Sequence, residues 1–203
     1  RVQSYTHPLW MLAVSGVYAA TGEIYWSALG LGVLTSVATV ALVGFGIARS
    51  TTTGILAIGP LILSKAFVDY STSGLENPLT HFLLAAFYWV LFNHSQHKNS
   101  SFLLALFTAL LGMNRLDALL LVLPALLIHV SQNHRRTDVG ALALGLLPLV
   151  AWEIFALIYY GFPLPNTAYA KLGTGIPTSA LVQQGLYYFE DSLARDPITL
   201  TTV

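Results

Sequence analysis

From Trp26 to Ala48 the chain carries no charged side chain. At about 1.5 Å per residue, a helix of that length crosses a hydrocarbon core of ~30 Å. Tyr25 and Trp26 at one end and Arg49 at the other are the residue types that anchor a span at its interfaces. Val139–Tyr160 repeats the pattern, with Pro148 as an expected kink and Glu153 as its one acid. Backbone groups in hydrocarbon find partners only within their own helix or a closed barrel, so two such runs commit much of the chain to helices. Charged residues are 9% of the sequence and apolar ones 55%, where a soluble domain has about 25% charged. The expectation is an all-α, polytopic transmembrane helix bundle in contact with a lipid bilayer.

The other apolar runs are shorter. Leu9–Ala20 reaches only about 18 Å and reads as an interfacial or re-entrant helix. Thr51–Val68 and Leu79–Phe92 flank a polar island, Asp69-Tyr70-Ser71-Thr72-Ser73-Gly74-Leu75-Glu76-Asn77-Pro78. An island this polar belongs at a water interface or in a protein-lined cavity, and reads as the lip of an active site. Phe102–Val130 is interrupted at Met113-Asn114-Arg115-Leu116-Asp117, which suggests a tight helical hairpin. After Gly161 comes a Pro-bounded loop, Phe162–Lys171, then a Gly-rich turn, Leu172–Pro177. Ser179–Leu193 reads as an amphipathic helix with Leu181, Leu186, Tyr187, Phe189 and Leu193 as its apolar stripe. Three regions result: 1–161, transmembrane with an interfacial N-terminal helix; 162–197, an extracytoplasmic loop and amphipathic helix; and 198–203, the start of a further span. Beginning without Met and stopping within an apolar run, the chain reads as an internal piece of a longer membrane protein, truncated at both ends.

If each run from Trp26 onward crosses once, Arg49, the Asn93–Asn99 loop and Arg135-Arg136 share one face. The polar island, Asn114–Asp117 and everything after Gly161 share the other. The positive-inside rule places the first group in the cytoplasm, so the candidate chemistry converges outside it. Nine Lys and Arg balance nine Asp and Glu, which gives no field for nucleic acid. The sequence has no cysteine, so thiolate chemistry and Cys-based metal sites are excluded. His94 and His97 have ligand spacing but no third ligand nearby, so no metal site is assigned.

Glu76 and Asp69 are placed either to orient a hydroxyl or move its proton, or simply to end helices at an interface. Arg115 suits an anionic group, because its fork offers phosphate oxygens two hydrogen bonds. Arg115 and Asp117, two residues apart, do not face each other on a regular helix. Lys171 adds a cation on the same face, after Asn166, Thr167 and Tyr169; a solvated loop is the plain alternative. Glu153, mid-helix, is expected to face protein.

Four stretches together resemble a known family: Arg1-Val-Gln-Ser-Tyr-Thr-His-Pro-Leu-Trp10, Tyr70-Ser-Thr-Ser-Gly-Leu-Glu-Asn-Pro-Leu79, Asn114-Arg-Leu-Asp117 and Pro163-Leu-Pro-Asn-Thr-Ala-Tyr-Ala-Lys171. In this order they are similar to bacterial polytopic glycosyltransferases of the GT-C class, in the group of terminal β-(1→2)-arabinofuranosyltransferases and flagellar motor control proteins. The resemblance implies inverting transfer of a sugar, such as arabinofuranose, from a polyprenyl-phosphate donor to a cell-envelope glycan or lipid acceptor. It places the protein in the bacterial inner membrane, multi-pass, with its site facing the periplasm or exterior. It also implies a principal catalytic base in an acidic pair upstream of Arg1, so the chain alone is expected to be inactive. On this reading Arg115 and Lys171 meet the phosphate, and Glu76, Asn77 and Asn166 hold sugar hydroxyls. Tyr5 and His7 close the cavity, and Tyr70, Ser73, Asp117 and Tyr169 complete the substrate-binding set. No organic cofactor is implied, and a divalent cation is left open. The competing readings are a transporter-like protein and a non-catalytic scaffold of envelope or motor assembly.

Overall fold

The computed structural model describes residues 3–132, 138–171 and 175–197. Among these every regular element is helical. Helix α1 (Pro8–Thr21) starts on a proline, whose missing N–H costs nothing at a first turn, and ends on Gly22. Helix α2 (Ile24–Ala41) continues through a π-helical turn to Ile47. Ser50 then caps α3 (Thr51–Leu63) in a reciprocal box with Thr53.

Helix α4 (Lys65–Ser71) follows at a sharp angle. The expected single run Thr51–Val68 is in fact two helices bent by 71°. Ser64 is the break: its backbone is extended, and its side chain accepts from Phe67 N to start the next helix. A turn through Gly74, held in the left-handed region at φ 75°, leads to α5 (Asn77–Asn93). The ends of the polar island are therefore helical, and only residues 72–76 form the turn.

Helix α6 (Ser100–Asn114), a 3-10 turn (Leu116–Ala118) and α7 (Leu119–Gln132) come next. Asp138 caps α8 (Val139–Tyr160), which runs unbroken through Pro148. Helix α9 (Asn166–Lys171) occupies part of what was read as loop, and α10 (Thr178–Arg195) is the amphipathic helix, with no buried residue. Arg135-Arg136, residues 172–174 of the Gly-rich turn, residues 198–203 and the Lys171 side chain lie outside the described residues.

The core joins Leu83, Phe87 and Val90 of α5 to Leu104 and Leu111 of α6 and Val122 and Leu126 of α7. Helix α6 packs chiefly on α8 and then on α5, and only lightly on α7, so the expected tight hairpin is loose. The reason sits at Gly145. A Cβ there would lie 2.6 Å from the Phe102 carbonyl oxygen, so the α6 and α8 backbones touch where other residues would hold them apart.

Two helices, Ile24–Ile47 and Val139–Tyr160, are long and apolar enough to cross a membrane, or three if the bent pair α3–α4 is one span. Their apolar faces point outward: Ile158 is 82% exposed, and Leu34, Leu147 and Ile154 are exposed as well. Unpartnered apolar surface on this scale fits lipid, and the chain has an all-α membrane-type fold. The helices α5, α6 and α7, of 17, 15 and 14 residues, are shorter than a usual span.

Candidate functional site

The site forms where the start of α5 meets the end of α6, with the residues before α1 laid across the junction. Two helix ends leave polar backbone groups open, and the sequence supplies a carboxamide for them. Asn114, the last residue of α6, is fully buried. Its Nδ2 donates to the Glu76 carbonyl (3.1 Å) and to Thr80 Oγ1 (2.8 Å). Thr80 in turn donates to the same Glu76 carbonyl at 3.2 Å. These bonds fix the Glu76 backbone at the N-terminus of α5.

The Glu76 carboxylate is held from two sides. His7 Nε2 lies 3.3 Å from Oε1, and Arg115 Nη1 lies 3.6 Å from the same oxygen. A carbonyl oxygen only accepts, so the 2.6 Å contact between His7 Nδ1 and the Asn114 carbonyl makes Nδ1 the donor. Nε2 is thereby turned to the carboxylate. Trp10 Nε1 donates to the Gly74 carbonyl at 3.0 Å and ties α1 to the turn.

Arg115 breaks the helix in order to reach its partners. Its backbone is extended (φ −152°, ψ 114°), which swings the side chain back toward Asp117. The two therefore pair despite their spacing, because the intervening backbone is not helical. Nε and Nη2 donate to the two carboxylate oxygens of Asp117 at 3.1 and 2.7 Å, and Nη1 donates to Asn77 Oδ1 at 2.7 Å. The hydrogen bonds from Arg115 hold the Asp117 carboxyl below its usual range, and those to Asp117 raise the guanidinium further. Both groups are charged at neutral pH. Glu76 is the inner carboxylate, with its side chain 10% exposed, and Asp117 the outer one at 64%.

Asn77 also lines an apolar cleft of about 610 Å³ between α2, α3, α4 and α5. Val43, Leu61, Phe67 and Leu84 form its walls, and Tyr70, Asn77 and His81 supply polar groups. The bend at Ser64 opens this cleft, since Ser64, Ala66 and Phe67 all face it.

Of the residues expected at the site, the structure brings together His7, Glu76, Asn77, Arg115 and Asp117. Tyr70 is in the adjoining cleft, and Ser73 shapes the turn by donating to the Tyr70 carbonyl at 2.8 Å. Asp69 is exposed on α4 and takes no part in these bonds. Exposed Tyr5 lines a small crevice with Gln3, Trp152 and Glu153. Asn166 N donates to the Gln3 carbonyl at 3.0 Å, which seats the Pro-Leu-Pro-Asn segment on the N-terminal one, and Tyr169 packs edge-on against Phe162. Among the described residues no group of three or more His, Cys, Asp or Glu could hold a metal. Asn114, Thr80, Trp10 and His81 were absent from the expected set. A carboxamide in the last turn of an apolar helix was the available signal for Asn114.

The chain is similar to the terminal beta-(1->2)-arabinofuranosyltransferase of Mycobacterium tuberculosis, at 29% identity over an alignment that takes in 93% of this chain and 32% of the relative. The chain thus spans about a third of that relative's length. No family model matches the chain, and no solved structure matches it at comparable significance. A distant homologue of this chain is therefore an arabinofuranosyltransferase.

Proposed function

We propose that the full-length protein is a multi-pass glycosyltransferase of the GT-C type in the bacterial inner membrane. It takes a sugar, arabinofuranose being the first candidate, from a polyprenyl-phosphate donor and passes it to an envelope glycan or lipid on the extracytoplasmic side. One observation carries this reading: Asn77 both lines the apolar cleft and accepts from Arg115 at 2.7 Å. A cation one hydrogen bond from an apolar cleft is what an anion with a long apolar tail requires.

In the reaction the acceptor hydroxyl attacks the anomeric carbon while the bond from that carbon to the phosphate oxygen breaks, its electron pair leaving with the phosphate. Arg115, with Lys171 as a second cation, stabilises that charge. Glu76, kept in place by His7 and Asn114, holds a sugar hydroxyl and can take up its proton; Asn77 and Asn166 add hydrogen bonds.

The test is incubation of the full-length protein, in liposomes, with radiolabelled polyprenyl-phosphate sugars and envelope acceptor. Transfer from one donor, lost on Glu76→Gln, is the expected result. A folded protein that transfers from none of the donors overturns the proposal. The 71° bend of α3–α4 favours a transporter-like second reading, which requires substrate flux without transfer.

A further inference from the structure

The guanidinium of Arg115 has two working edges, and they face different neighbours. The inner one, Nη1, is bound to Asn77 and lies beside Glu76. The outer one, Nε with Nη2, is the parallel fork that Arg presents to a carboxylate or a phosphate. In this structure the fork is filled by Asp117, with both oxygens engaged at 3.1 and 2.7 Å. Three of the five guanidinium N–H donors are thereby spent within the protein.

Asp117 differs from Glu76 in what holds it. Its side chain is 64% exposed and sits on a 3-10 turn of only three residues, whereas Glu76 is enclosed by His7, Arg115 and α6. An exposed pair contributes little to stability and is given up at small cost. The outer edge is the more open one, since its bonds to Asp117 lie at the surface while the Nη1 bond to Asn77 is partly buried.

We propose that Asp117 is a built-in competitor for a phosphate monoester anion: it fills the Arg115 fork when no ligand is present and is displaced from it when the anion binds. Asp117 then is not a substrate contact but the group that sets how strongly an anion must bind to be retained. The exchange breaks two hydrogen bonds to a carboxylate and makes two to phosphate, so the fork is never left empty. Between unliganded and bound states, only the 3-10 turn has to move. This inference rests on the reading given above, in which a polyprenyl phosphate leaves the sugar, and assigns a role within the same site.

The test compares binding of farnesyl phosphate and of inorganic phosphate to the full-length protein in detergent, for wild type, Asp117→Asn, Arg115→Gln and the double variant, with thermal melts to confirm folding. Removing the competitor is expected to tighten farnesyl phosphate binding about two- to fivefold, since an exposed pair gives no more than that. Arg115→Gln is expected to weaken it, and the double variant to match Arg115→Gln, because the competitor acts only through the guanidinium. Farnesyl phosphate binding that rises in Asp117→Asn while inorganic phosphate stays weak identifies a lipid-linked anion; equal rises for both identify a free phosphate. Unchanged or weaker binding by folded Asp117→Asn, with Arg115→Gln still defective, overturns the competitor and leaves the donor reading standing. No binding of farnesyl phosphate by any form overturns both.

Discussion

Asn114 supports the junction of α5 and α6 through the Glu76 backbone and the Thr80 hydroxyl. Its amide serves two oxygens at the head of α5, and its own carbonyl receives the His7 ring. Asn114→Ala leaves the Thr80 hydroxyl and Glu76 carbonyl short of a buried donor, so a loss of about 1–3 kcal/mol is expected in reversible unfolding in detergent. The outer pair gives a pH signature. Because hydrogen bonds from Arg115 hold the Asp117 carboxyl below its ordinary value, the pair's contribution is present above the unfolded pKa of about 3.9 and is lost as pH falls through the lower folded value. Melting temperatures of wild type and Asp117→Asn should therefore differ at pH 6 and converge toward pH 3. The residue identities at this site were legible in the sequence: Glu76, Asn77 and Arg115 stand out in apolar surroundings. The Arg115–Asp117 pair was not, because it depends on one residue leaving helical geometry, and a spacing argument presupposes the helix.

At the scale of elements, two glycines with the same propensity have opposite consequences. Gly145 lies where α8 touches the α6 backbone, and Gly30 in α2 has nothing within 4 Å of its would-be Cβ. Gly145→Val forces that contact open and is expected to destabilise by about 1–3 kcal/mol. Gly30→Ala is expected to be neutral or to stabilise by up to about 1 kcal/mol through helix propensity. Thermal denaturation of the two variants side by side checks both. The long spans were readable because length and lack of charge admit few alternatives. The break at Ser64 was not, because a serine within an apolar run has no local signature; it caps α4 only once the chain has bent. The partner choice of α6 was equally hidden, since Gly145 acts through the backbone it approaches.

For the whole molecule, alternation of the apolar runs predicted that the two polar interruptions would meet, and His7, Glu76 and Arg115 do come together. At the opposite end, Asn93 Nδ2 donates to the Gly46 carbonyl at 3.1 Å, joining the ends of α2 and α5. The 203-residue sequence holds no cysteine, so a cysteine introduced within it has no competing thiol in this stretch. Ser50→Cys and Lys98→Cys should react with impermeant thiol reagent from the cytoplasmic side, and Ser73→Cys and Thr167→Cys from the other. Labelling of Ser50→Cys and Ser73→Cys from one side would rule out this topology.

The His7–Asn114 contact joins residues 107 positions apart, and Glu76 waits for a cation that lies 39 positions further on, at Arg115. A ribosome delivers the chain in order. The acid and its histidine partner are thus made before the guanidinium that lies beside the same oxygen. During that interval the Glu76 carboxylate has only His7 beside it from this site, and a chain released before Arg115 keeps that gap. The junction of α5 and α6 therefore closes only after all three of its contributing segments exist, and no product that ends before Arg115 can form it.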